Sequence, residues 1–174
     1  MAALVVTGGR EYKVTPLDRF LLDELVRRYS EVDPITTVLH GAAHGADEGC
    51  DAWARSRGIA VDPYPVYQSD WDRHGNAAGP MRNEKMVATA KREHEHVVGV
   101  AFPGNRGTKD CVAAMERHGV PLEDLRGRRG CQRWGRTEAD EWRRHACTRE
   151  AALAIWIISI LFRRLDPAAT KVPE

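Results

Sequence analysis

The chain has 174 residues, 43% of them hydrophobic and 29% charged, with a net charge of +1. That is enough chain to bury one sizeable core, and too little net charge to draw the whole protein onto nucleic acid or an anionic membrane. The charge is uneven, since residues 1–125 carry 15 basic and 19 acidic side chains (net −4) and residues 126–174 carry 11 and 6 (net +5), so two parts with different tasks are expected.

Residues 3–7 form a short, unbroken, β-branched apolar run that ends in Gly8-Gly9-Arg10, the pattern of a strand buried on both faces of a parallel sheet. An amphipathic helix over 17–29 follows, with Thr15 as its cap and Pro16 in its first turn. The cycle repeats with a strand at 37–39, a glycine turn at 40–45, and a helix over 46–57 stopped by Gly58. A strand at 59–66 is demoted toward a sheet edge by Pro63 and Pro65. Residues 67–78 read as a loop, 80–90 as a helix with Pro80 at its first position, and 97–102 as a strand. A turn over 103–107, a helix over 108–118 and a short strand at 120–122 complete the series. Alternating strands and helices predict an α/β fold, a Rossmann-like parallel sheet flanked by helices.

In such sheets ligands sit beyond the carboxyl ends of the strands. Gly8-Gly9-Arg10, the turn from His40 to Asp47 containing Gly41, and the turn from Pro103 to Thr108 all fall on that edge, and the opening of the Pro80 helix joins them. Uncapped N–H groups and the helix dipole make such an opening receptive to anions, and Arg82 adds a planar fork of donors beside Asn83. Gly104, Gly107 and Thr108 would form a second anion nest. Arg10 either neutralises phosphate or pairs at the surface with Glu11 or Asp18. Asp47 either caps its helix or bonds a ribose hydroxyl, and Trp71 either stacks on a base or plugs the core. His40 and His44 flank the second turn, where structural roles compete with phosphate contact or proton transfer. The run Glu93-His94-Glu95-His96 has metal-ligand residue types, but it lies away from the binding edge and reads as a solvated turn.

Together, Val-Thr-Gly-Gly-Arg-Glu-Tyr (6–12), His-Gly-Ala-Ala-His-Gly-Ala-Asp (40–47), Trp53-Ala54, Asp70-Trp71, Ala-Gly-Pro-Met-Arg-Asn (78–83) and Phe-Pro-Gly-Asn-Arg-Gly-Thr (102–108) resemble the YspA-type, cpYpsA-related branch of the SLOG superfamily. The resemblance covers about residues 3–122 and implies a pocket for nucleotides or nucleotide-derived ligands, in a superfamily that also holds DprA/Smf proteins and the LOG phosphoribohydrolases. The LOG pattern Pro-Gly-Gly-x-Gly-Thr-x-x-Glu ends in a glutamate acting on the N-glycosidic bond, and Cys111 stands at that place here. Arg82 can stand for the arginine of that mechanism, and Asp110 is the nearest carboxylate, though one residue early and so roughly 100° around the helix. Asp47, Asp70 or Glu84 are alternative carboxylates.

The resemblance ends near residue 125. Residues 126–174 read as a basic linker and a helical extension starting at Thr137 and running to Arg164. Residues 151–162 contain Ser159 as their only polar side chain, but 12 residues fall short of the ~20 that cross a bilayer. A helix apolar all round must be buried against the main domain or between subunits, which predicts a homo-oligomer and no membrane span. Cys50, Cys111, Cys131 and Cys147 form no CxxC pair, His145 with Cys131 and Cys147 fits no usual zinc spacing, and the N-terminus lacks a basic-then-apolar leader. Free thiols in a reducing cytoplasm, with no metal and no cofactor, are therefore expected. The expected function is binding of a nucleotide or nucleotide-derived ligand as a sensor or a hydrolase. The alternatives are a LOG-like phosphoribohydrolase, an oligomeric scaffold, and a DprA-like nucleic-acid module, the last opposed by the acidic balance of residues 1–125.

Overall fold

The computed structural model describes residues 1–30 and 33–126, which belong to a unit spanning Met1–Arg129. The helix expected over 137–164, with its apolar stretch, lies outside the described residues. Five strands and five α-helices alternate: β1 (Ala2–Thr7), α1 (Pro16–Ser30), β2 (Ile35–His40), α2 (Ala46–Ser56), β3 (Ala60–Pro63), α3 (Gln68–His74), α4 (Ala78–Glu93), β4 (His96–Ala101), α5 (Arg106–Arg117) and β5 (Leu122–Asp124). The strands form one parallel sheet in the order β3-β2-β1-β4-β5. This is the Rossmann-like α/β arrangement, and its strand order reverses direction between β1 and β4.

Strand β1 is buried from end to end because both of its faces are covered. Successive side chains point to opposite faces, so Ala2, Leu4 and Val6 pack with Leu22, Leu25 and Trp53, while Ala3 and Val5 pack with Met86, Val87 and Met115. The first core thus holds α1 and α2, and the second α4 and α5. Trp53 is 1% exposed, and its indole N–H donates to Asp23 at 2.9 Å, which joins α2 to α1 without leaving a buried donor unpaired. Asp23 also accepts from Arg57, whose guanidinium holds that carboxyl below the usual carboxylate range.

Several local expectations change. Residues 67–78 are not a loop: Asp70 accepts the Tyr67 N–H at 3.0 Å and starts α3, and a 3-10 turn over Gly75–Ala77 leads directly into α4. Helix α4 therefore begins at Ala78, whose N–H is already bonded to Gly75, and Pro80 is its third residue rather than its first. That end of α4 is not the open anion site that a proline at the first position would announce. Strand β3 is limited to Ala60–Pro63, because the Ile59 N–H turns back to Ala54 and Pro65 has no donor. Strand β5 starts at Leu122, since the Val120 N–H bonds Met115 and its side chain is buried in the second core.

Helix α1 is started by a reciprocal cap, with the Asp18 N–H donating to Thr15 Oγ1 at 3.2 Å and Asp18 Oδ2 accepting the Thr15 N–H at 2.8 Å. The same oxygen accepts Tyr12 Oη–H at 2.9 Å. Asp18→Ala keeps the backbone N–H but removes the bonds accepted by the carboxylate at a buried site, and is expected to lower stability by about 2 kcal/mol. A urea unfolding midpoint unchanged by that substitution would show that the cap does not hold the helix.

Candidate functional site

Strands β2, β1 and β4 end level with one another, since Val6 pairs with His40 and Thr7 with Ala101. The loops after them consequently emerge side by side at the reversal of strand order. Gly9 joins all three. Its N–H donates to the Pro103 carbonyl at 2.9 Å, and its carbonyl accepts from Tyr12 at 3.1 Å and from Ala46, the first residue of α2, at 3.2 Å. A Cβ at Gly9 would meet the Pro103 oxygen at 2.9 Å and the Gly104 Cα at 3.2 Å, and one at Gly8 would run into Ala46 and Phe102. Gly45 has φ +84°, and its missing Cβ faces the Gly9 and Arg10 carbonyls.

On the β4 side, α5 starts at Arg106, two residues earlier than its sequence suggests, so Gly107 and Thr108 lie within its first turn. Asn105 precedes the helix without a side-chain capping bond. Thr108 is 3% exposed, and among the described residues its buried Oγ1 has no hydrogen-bond partner. It lies directly beneath Gly104, where a Cβ would collide with it. Asn83, also buried, reaches across from α4 and donates to the Gly107 carbonyl at 3.4 Å.

Arg82 covers the β2 side. Its guanidinium packs against Gly41 so closely that a side chain there would overlap it, and Nη1 donates to the Tyr64 carbonyl at 2.8 Å. Its Nε is buried and has no hydrogen-bond partner among the described residues. Burial works against the charge of Arg82, Asp47 supports it, and the nearby Arg10 opposes it. Asp47, 5% exposed, does not simply cap α2 but accepts the Ala43 N–H at 3.2 Å and closes the turn before its own helix. Burial pushes its carboxyl above the ordinary aspartate range, against the pull of the Ala43 bond and the charges of His40 and Arg82.

His40 is buried at the start of that turn. Its Nδ1 accepts the Ala42 N–H at 3.0 Å, so the tautomer that fits carries its proton on Nε2, which faces Asp51 at 3.2 Å. Ala42 has φ +53°, a left-handed conformation unusual for alanine, and that bond helps hold it. His44 is exposed and lies 3.7 Å from Glu48.

Of the remaining candidates, Arg10 and Cys111 stay near Arg82 and the others stand apart. Arg10 is exposed and makes no salt bridge among the described residues, neither with Glu11 nor with Asp18. Asp110 stands on α5 at 4.0 Å from Arg106, and the carboxylate near Arg82 is Asp47 instead. Trp71 lies half-buried on α3 against Gly79. Asp70 caps α3, and Glu84 is bound to Arg117 and His118 of the α5 end. Cys111 is 1% exposed beside Thr7 and Arg82, and burial pushes its thiol up to about 11. At the opposite edge of the sheet, Asp33, Glu95 and His96 come together, with His96 Nδ1 at 2.6 Å from Asp33.

Two features have no signature in the sequence. Tyr64 meets Arg82 through a backbone carbonyl, which any residue type supplies. A cavity of about 420 Å3 opens beside the β1–α1 loop, lined by Arg10, Lys13, Val14, His44, Glu48 and Ala52 among others, while Arg82 and Thr108 do not line it. No helix among the described residues is long and apolar enough to cross a membrane.

A five-stranded parallel sheet with glycine turns meeting where its strand order reverses defines a Rossmann-like α/β protein. Residues 3–74 match the YspA, cpYpsA-related SLOG family. The Gene 61 protein of Mycobacterium phage D29 is 36% identical over 129 residues, which cover 70% of this chain and 94% of that protein. A solved chain described as the X-ray structure of TM1055 is similar at 21% identity with a TM-score of 0.47, over 70% of this chain and 72% of that one. The chain belongs to the YspA, cpYpsA-related SLOG family.

A carboxyl whose folded-state pKa is raised weakens the fold as it ionises, so Asp47 costs stability as pH rises from about 3.9 through its folded value. Asp47→Asn keeps an acceptor for the Ala43 N–H and is expected to be more stable than wild type at pH 7 and equal to it at pH 3. Urea titrations at the two pH values test this, and an equal difference at both would refute it. Burial raises the thiols of both Cys50 and Cys111. Iodoacetamide treatment of the native protein at pH 8, followed by peptide mapping, is expected to leave both unlabelled and to label both in urea.

Proposed function

We propose that this edge binds the phosphate of a nucleotide or nucleotide-derived molecule, and that the chain is a ligand-binding domain. Thr108 carries the reading. A buried hydroxyl without a partner costs about 1–3 kcal/mol, and this one sits in the first turn of a 12-residue helix that has no capping side chain. An anion at the start of α5 would accept from the first N–H groups of that helix and from that hydroxyl. Arg82, held against Gly41, and Arg10, which makes no salt bridge among the described residues, give the edge a positive field. Family membership supports a nucleotide-related ligand.

Binding is favoured over bond cleavage by the carboxylates. Cys111 occupies the place of the LOG glutamate, and its thiol stays protonated at neutral pH. Asp47 is buried and engaged with the Ala43 N–H.

Thermal shifts measured with AMP, ADP-ribose, cyclic ADP-ribose, NAD and the other nucleoside monophosphates test the proposal. A ligand at 100 times its Kd should stabilise wild type by about 3 kcal/mol. Thr108→Val, which removes only the unpartnered hydroxyl, is expected to raise the ligand-free stability and to weaken binding at least tenfold. Chromatography of the incubated nucleotides should show no released base. Absence of a shift with every compound in the panel would dispose of the nucleotide reading.

A further inference from the structure

We propose that the phosphate taken at the start of α5 is one half of a diphosphate, so that the ligand is of the nucleoside diphosphate class. This rests on the phosphate reading given above and adds the number of phosphates to it. The first turn of α5 is arranged against its own dipole. A helix start carries partial positive charge and is steadied by acidic side chains or a capping oxygen. Helices α1, α2 and α3 each have an acid in the first turn, whereas α5 has none, has no side-chain capping bond at Asn105, and places Arg106 and Lys109 there. Two cations at the positive end of a helix repel that end and each other. Asp110, at 4.0 Å from Arg106, offsets part of one exposed charge, and Lys109 makes no salt bridge among the described residues. The hydroxyl of Thr108 stands in the same turn, 3% exposed and without a hydrogen-bond partner among the described residues, and it independently calls for an acceptor at this end.

The surroundings have room and charge for a second phosphate. Gly104, Asn105, Arg106 and Gly107 are exposed, and a Cβ at Gly107 would meet nothing within 4 Å, so the turn opens to solvent. Thr108 and the first N–H groups of α5 suffice for one phosphate. Arg106 and Lys109, three residues apart, share a helix face, and helical side chains lean toward the N-terminus, which carries both over the open end. On the other side, the Gly9 N–H donates to the Pro103 carbonyl at 2.9 Å and so brings the loop of the exposed Arg10 beside this turn. A single phosphate carries about −2 at neutral pH. A diphosphate brings further negative charge and further acceptor oxygens, and these are what the outer cations can meet.

Isothermal titration with EDTA present, so that no divalent cation carries the charge, would compare inorganic phosphate with pyrophosphate, and the monophosphates of adenosine, guanosine, cytidine and uridine with the matching diphosphates. Wild type is expected to bind pyrophosphate at least tenfold more tightly than phosphate, and its preferred nucleoside diphosphate at least tenfold more tightly than the monophosphate. The double variant Arg106→Gln, Lys109→Gln is expected to remove most of both advantages while keeping monophosphate affinity within threefold, and its ligand-free melting temperature should be no lower than that of wild type. Lys91→Gln, an exposed cation in the last turn of α4, should leave every affinity unchanged. Equal affinity of wild type for mono- and diphosphates would overturn the second phosphate and leave the first standing. An equal loss of both kinds of ligand in the double variant, or the same loss in Lys91→Gln, would overturn it too. If wild type binds none of these compounds, the phosphate reading itself fails, and the diphosphate with it.

Discussion

The backbone of Gly9 is the junction on which the ligand edge depends. Its N–H and its carbonyl are bonded in different directions, one to the loop after β4 and the other to the start of α2 and to Tyr12. Each strand end is fixed by sheet pairing, but nothing in the sheet fixes the loops relative to one another. Three hydrogen bonds at a residue without a side chain do so. Because Pro103 and Gly104 approach within van der Waals contact of where a Cβ would be, the junction cannot be copied by alanine without parting the loops. Thr108, Ala46 and Arg10 are all set in place from this point.

The electrostatics of the edge divide into an exposed and a buried layer. Arg10, Arg106 and Lys109 lie outside, where water screens them. Beneath them, Arg82, Asp47 and His40 share a space from which water is largely excluded, and each modifies the others. Arg82 spends one donor on a carbonyl of the β3–α3 segment, so its position reports on that segment as well as on the turn after β2. Such groups hold their geometry through hydrogen bonds rather than through ion pairing, since no salt bridge joins Arg82 to Asp47 among the described residues.

Strands β1 and β4 are legible in the sequence because a strand covered on both faces needs an uninterrupted apolar run, and residues 3–7 and 97–102 supply one. The edge strands are less legible, because their limits are set by where neighbouring N–H groups go: Ile59 to Ala54 and Val120 to Met115. Helix α3 buries no side chain completely and so carries no apolar stripe, and only Asp70, three residues after Tyr67, marks its start. At the site, glycines stand out in a sequence because a close approach permits nothing else, and Gly8, Gly9, Gly41 and Gly104 do meet neighbouring groups closely. Their partners do not stand out. The Tyr64 carbonyl, the left-handed Ala42 and the packing of Val14 onto Gly49 arise from the way separate segments meet and leave no local pattern.

Cys111 and Asp47 flank the same guanidinium, one from α5 and the other from α2, and both are almost wholly shut off from solvent. A poorly polarisable interior beside the Arg82 guanidinium balances one anion far better than two. Placing an acid at 111 would set two like charges in that compartment, and one of them would keep its proton. The thiol and the aspartate are thus a matched pair, and a glutamate at 111 would call for a compensating change at 47.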